Sequence, residues 1–149
     1  MTKTEPPCIL TASESWALAR ETLVGRLAVV VDGLPEVFPI NFVVDHGTIV
    51  FRTAAGTKLK AAINQPVAFE LDGYDPTTGE AWSVVIKGVG HAITELDEVL
   101  DALVLPLETW HAAAKPQLVR IVPSNVSGRR FLRAAPPREV RLAPQPAPI

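Results

Sequence analysis

The side chains best suited to hold a charged ligand gather in the stretch FRTAAGTKLK, from Phe51 to Lys60. Arg52 and Thr53 close an apolar run. Ala54, Ala55 and Gly56 follow, and Thr57 and Lys58 open a short helical pattern. Guanidinium and ammonium groups make charge-assisted bonds to phosphate oxygens. Small residues let a ligand approach the backbone, and a helix start offers free N–H groups at the positive end of a dipole. Such a constellation suits phosphate. The same residues also describe a solvated turn whose Thr57 caps the helix, and spacing alone leaves both readings open.

Other chemistries find no support. The Gly-x-x-x-x-Gly-Lys-Ser/Thr spacing of a phosphate loop is missing. KGVGHAI carries two glycines of a dinucleotide fingerprint, but without the third and inside a strand pattern. His46, His91 and His111 lack metal-ligand spacing. The single cysteine, Cys8, excludes an internal disulfide and a cysteine metal cluster. No serine lies in a Gly-x-Ser-x-Gly elbow. With no nucleophile, metal set or acid/base pair, any redox or group chemistry would come from a bound cofactor.

The chain has 149 residues, the size of one domain, with 48% apolar and 20% charged residues, enough to bury a core. A net charge of −2 gives no electrostatic case for nucleic acid or an anionic membrane as partner. The N-terminal stretch lacks the apolar core of a signal peptide, and no run reaches the ~20 apolar residues of a membrane helix. The expectation is a cytoplasmic protein: one domain over 1–133, and a Pro-rich tail over 134–149 outside the fold.

The elements around the basic stretch follow from periodicity. TASESWALARETLVG predicts a helix: Thr11 and Glu14 have capping-box spacing, Trp16, Ala19 and Leu23 recur on one face, and Gly25 is a stop. RLAVVV and EVFPINFVV flank the hairpin signal Asp32-Gly33, and Pro39 assigns the second run to an edge or a bulge. DHGT turns into a third strand, IVFRT. A short helix, GTKLKAAIN, leads to the strand VAFELDGY. The turn DPTTGE leads to the long strand AWSVVIKGVGHAITE, where Gly88 and Gly90 predict a bulge or sharp bend. Leu96, Val99, Leu100 and Leu103 predict a third helix that Pro106 ends, and QLVRIVPSNVSGRRF one or two last strands. Short turns, brief helices and about six strands predict a mainly β fold, a small antiparallel barrel.

PINF, FRT..GTKL and WSVVIKG, in that order, resemble the pyridoxamine 5'-phosphate oxidase-like, FMN-binding split-barrel family. The likeness covers about residues 11–131 and is greatest to short actinobacterial flavin/deazaflavin oxidoreductases. It implies a six-stranded antiparallel split barrel and a homodimer that binds FMN or a deazaflavin coenzyme in an interface groove. Carried over, Pro39, Ile40, Asn41 and Phe42 would line the isoalloxazine ring. Arg52 and Thr53 would reach the ring edge and phosphate end, Thr57 and Lys58 would hold phosphate, and Trp82 and Ser83 match a flavin-contacting strand position. Without the cofactor, Trp82 is a core aromatic and Asn41 the partner of a bulge. The C-terminal residues that hold substrate phosphate in pyridoxamine phosphate oxidases have no counterpart; Arg129 and Arg130 do not align with them. The implied function is a flavin- or deazaflavin-dependent oxidoreductase. A non-catalytic flavin carrier is the alternative, and a haem-related split barrel a third reading.

Overall fold

The computed structural model describes residues 6–54, 56–106 and 117–132, without the side chains of Lys58 and Leu59. Strand β1 (Cys8–Leu10) leads into helix α1 (Ala12–Glu21). Thr11 caps that helix with the reciprocal box expected of it: Glu14 N–H donates to Thr11 Oγ1 at 3.1 Å, and Thr11 N–H to Glu14 Oε1 at 3.0 Å. The Thr11 N–H, and after it the Thr11 hydroxyl, hold the Glu14 carboxyl below the usual carboxylate range. The helix stops earlier than its sequence suggests. Thr22 is the C-cap, and its hydroxyl takes the carbonyl of Leu18 at 2.8 Å. Leu23 therefore leaves the helical face, and Gly25, expected as the stop, sits inside strand β2 (Val24–Val31). A Cβ there would collide with the ring of Phe69, so the position needs glycine for close packing rather than for a cap.

β2 turns into β3 (Leu34–Asn41) through Asp32 and Gly33, with φ of 50° and 78°. These positive angles match the right-handed twist of the paired strands. The run expected to continue from β3 breaks at Phe42. Beyond it β4 (Val43–Asp45) turns through His46 and Gly47, again at positive φ, into β5 (Thr48–Thr53). Helix α2 (Thr57–Ala62), β6 (Pro66–Tyr74), β7 (Glu80–Ala92), α3 (Leu96–Leu103) and β8 (Gln117–Leu132) complete the described chain. β8 is one continuous strand where one or two were expected.

The described strands all pair antiparallel, in the order β3-β2-β6-β7-β8-β5-β4, with β1 added on β8. The two ends of this path, β3 and β4, are consecutive in the chain and joined by Phe42 alone. A sheet whose first and last strands share one connecting residue has to curl upon itself. β3 accordingly also touches β5, and Pro39 lies on the edge strand where its missing N–H costs no ladder bond. The result is the split-barrel type expected, with seven strands in the path instead of six because β4 is a separate short strand.

Leu27, Ile49, Phe51, Phe69, Leu71, Val84, Ile86 and Ile121, all fully buried, fill the barrel. Period-two alternation puts each of them on the inner face of its strand. Between Lys87 and Gly88 the β7–β8 register shifts, leaving Ser124 as an extra residue on β8. The bulge expected at the glycines is therefore present. A Cβ on Gly88 would strike the carbonyl of Val122, and one on Gly90 the carbonyl of Ala62 at the end of α2. The α3 stripe is the clearest departure. Ala102 is its buried residue and Val99 packs partly against Val50, Ile93 and Leu118, while Leu96, Leu100 and Leu103 face outward.

Candidate functional site

The strand period divides the candidate residues between two faces. On β3, Ile40 is buried inside the barrel, whereas Pro39 and Asn41 belong to the outer face. Phe42 turns inward; it is 4% exposed and meets Phe69 edge-to-face, ring centroids 4.8 Å apart. On β5, Phe51 and Ile49 point inward, so half-buried Thr53 shares their face while Arg52 lies on the opposite one with Val50. On β7, Trp82 belongs with Val84 and Ile86 inside, where its indole lies against the backbone of Gly73. Ser83 looks out, cross-strand from Arg129. Trp82 and Ser83 thus occupy opposite faces, and a ligand lying on either face meets one of the two side chains. Trp82 has the position of a core aromatic.

The basic stretch is a strand-to-helix loop, as its sequence suggests. Arg52 pairs with Leu118 across the β5–β8 ladder and Thr53 with Gln117. Thr53 Oγ1 donates to the carbonyl of Ala54 at 3.3 Å. Lys60 N–H bonds the carbonyl of Gly56 at 3.1 Å, which makes Gly56 the capping position and Thr57 the first helical residue. Thr57 is thus not the cap that the solvated-turn reading made of it. Among the described residues nothing lies within 4 Å of where a Gly56 side chain would stand. Among the described residues Arg52 enters no ion pair.

A cleft of about 560 Å³ opens at the end of α1. Its walls are the end of α1 (Ala19, Arg20, Thr22), then Leu23 and Val24, the β3–β4 junction from Asn41 to Val44, and Leu105 and Pro106 beyond α3. Of the residues singled out in the sequence, it brings together Asn41 and Phe42; Arg52, Thr57, Trp82 and Ser83 are not in its walls. Arg20 and Leu23 were not among the site residues expected from the sequence. Both were visible as residue types, but only the fold sets the end of α1 against the β3–β4 junction and residues 105–106.

One polar group borders the β4–β5 hairpin. Arg120 Nη1 donates to Asp45 Oδ2 at 2.9 Å and to Thr48 Oγ1 at 2.7 Å, with both ionic side chains about four-fifths buried. The Arg120 guanidinium, helped by His46, holds the Asp45 carboxyl below the usual carboxylate range against the cost of its burial. This pair ties β4 to β8 across β5. His46 is 95% exposed at a turn, His91 is exposed on β7, and neither is among the residues of the cleft wall. At the other end of β8, Arg130 Nε lies 2.7 Å from Glu80 Oε1, close enough for an ion pair, though its N–H is not aimed for a hydrogen bond. His111 and the 134–149 tail lie outside the described residues.

The curled antiparallel barrel, with an apolar cleft beside the β3–β4 junction, is of the split-barrel class. Residues 11–130 match the family model of pyridoxamine 5'-phosphate oxidase, and the chain belongs to that family. A Mycobacterium smegmatis FAD binding protein of known structure is 41% identical, with TM-score 0.74, over 83% of this chain and 99% of that one. A Corynebacterium glutamicum structure, named as a candidate pyridoxamine 5'-phosphate oxidase, is 36% identical with TM-score 0.78, over 86% of this chain and all of that one (100%). Rv0080, an uncharacterised protein of Mycobacterium tuberculosis, is 30% identical over 114 residues, which span 72% of this chain and 74% of the relative.

Proposed function

We propose that this protein binds a flavin nucleotide or a deazaflavin coenzyme and uses it as an oxidoreductase, in a homodimer. One observation carries the reading: the 41% identical relative that spans nearly the same fold is a FAD binding protein. The residues of this chain fit such a group. Pro39 and Asn41 present one edge of β3 to the ring, and Phe42 backs that segment from within the barrel. Arg52, at the end of β5, and Lys58, in the first turn of α2, supply positive charge for phosphate. Ser83 can contribute only from the outer face, and Trp82 supports the site through the core. When bound, the cofactor supplies hydride or electron transfer; the chain positions it and excludes water on the cleft side.

The dimer reading rests on apolar residues left on the outer face and tip of the β2–β3 hairpin. Val30 is 61%, Leu34 68% and Val37 59% exposed. A second copy would cover them.

The cofactor test is calorimetric titration of the purified chain with FMN, FAD, the deazaflavin and riboflavin. A hydrogen bond to a charged group contributes about 1.5–3 kcal/mol. Lys58→Ala should therefore weaken phosphorylated cofactors about 10- to 150-fold and leave riboflavin, which has no phosphate, unchanged. Equal affinities of wild type and variant for every nucleotide would remove Lys58 from the site. No nucleotide binding by wild type would end the flavin reading. Light scattering should give twice the 16.0 kDa chain mass. Among the described residues no carboxylate or histidine lines the cleft, and this favours a second reading, a non-catalytic flavin carrier. Reduction of the bound cofactor without turnover of any donor or acceptor would support it.

A further inference from the structure

We infer that the cleft at the end of α1 is the substrate pocket of this reaction, and that it selects a largely apolar molecule bearing one anionic group, which Arg20 holds. The substrate role rests on the flavin reading, through Asn41 and Phe42, which belong both to the cleft wall and to the ring-lining segment. The ligand chemistry stands on the cleft itself. Its volume, about 560 Å³, lies in the range of organic-ligand pockets.

Its walls are mostly aliphatic, and Leu23 stands 79% exposed there, apolar surface that a bound molecule would cover. Among the described residues Arg20 is the one charged residue in the wall, and no acid stands opposite it. Among the described residues it forms no ion pair. Asp45, the acid that follows the β4 wall, is engaged by Arg120 and His46. The end of α1 does not depend on Arg20 either. Thr22 takes the carbonyl of Leu18 with its hydroxyl and that of Ala19 with its N–H. A single cation on an apolar wall attracts an anion attached to an apolar body. It disfavours a cation and gives a neutral molecule no electrostatic advantage.

Two fluorescent probes of nearly the same shape separate charge from burial: 8-anilino-1-naphthalenesulfonate, which is anionic, and neutral N-phenyl-1-naphthylamine. Wild type should bind the anion. Arg20→Ala should weaken it about tenfold, the scale of one charge-assisted contact at a partly solvated site, and leave the neutral probe unchanged. Arg20→Lys should restore most of the loss. Leu23→Glu, a change at an exposed position, should weaken both probes, the anion more. An unchanged anion affinity in Arg20→Ala overturns the proposal, as does an equal loss for both probes. Indifference of both probes to Leu23→Glu also overturns it, because they then bind elsewhere. Flavin nucleotide titration of the same proteins separates the two claims. If wild type takes no nucleotide but the probe pattern holds, the substrate role falls and the anion pocket stands. If nucleotide binds normally and the probes ignore Arg20, only this proposal falls.

Discussion

Phe42 occupies the one residue that joins the two ends of the sheet path, and its replacement tests whether the barrel is closed by packing at that point. Its ring is 4% exposed and lies edge-to-face on Phe69, itself fully buried. Phe42→Ala removes the ring, leaves a cavity beside Phe69 and loses the aromatic pair. Phe→Ala changes in cores cost about 3–5 kcal/mol, and an aromatic pair contributes ~0.5–1.5 kcal/mol beyond its area. The site also borders an open cleft, where water and small shifts relieve part of the cavity cost, so the expected loss lies near the lower end, about 3 kcal/mol. With a urea dependence of about 2 kcal/mol per molar, the unfolding midpoint should fall by roughly 1.5 M. Phe42→Leu should lose roughly half as much, because it refills most of the volume without the ring pair. Urea unfolding followed by tryptophan fluorescence, with an unchanged slope, is the assay. A loss below about 1 kcal/mol, the typical value for any substitution, would refute the idea that Phe42 packs the seam shut.

The Asp45–Arg120 pair should make stability fall in acid. The Asp45 carboxyl is depressed chiefly by its hydrogen bond to Arg120, so the native state binds its proton less readily than the unfolded chain does. The contribution is full above the unfolded carboxylate value of ~3.9 and is lost as pH falls through the lower native value. Asp45→Asn should cost about 1–3 kcal/mol at pH 7, and its deficit should shrink steadily below about pH 4; thermal melts from pH 7 to pH 3 check this, and a deficit independent of pH would contradict it. Gly88→Ala should destabilise the fold by more than the ~1 kcal/mol typical of a point substitution, because its methyl would meet the Val122 carbonyl at the bulge. An equal melting temperature would mean that the β7–β8 bulge can relax at no cost.

The sequence by itself determined whatever rests on neighbours in the chain. Thr11 and Glu14 specify their capping box across one turn of backbone, and Asp32-Gly33 and His46-Gly47 specify hairpins because few residues tolerate positive φ. Gly88 announced the bulge, since a residue without Cβ is what a close backbone crossing requires. The alternating strands made a mainly β barrel legible, and the ordered motifs made the family legible.

What lay beyond reach depends on contacts distant in sequence. The α3 stripe of Leu96, Leu100 and Leu103 has helical period, but period says only that a helix has an apolar face. Which face is covered was decided by Val50, Ile93 and Leu118, and these select Ala102 and Val99 instead. Gly25 reads as a helix stop locally, and only the ring of Phe69, 44 positions along the numbering (69 − 25), explains it. Trp82 and Ser83 are adjacent in the family motif and opposite in space, a consequence of strand pleat that becomes informative once the inner face is known. The cleft was the least legible feature. Arg20, Asn41 and Leu105 carry no shared pattern, and they meet because the sheet curls until β3 and β4 join at Phe42, which sets the end of α1 against the chain beyond α3.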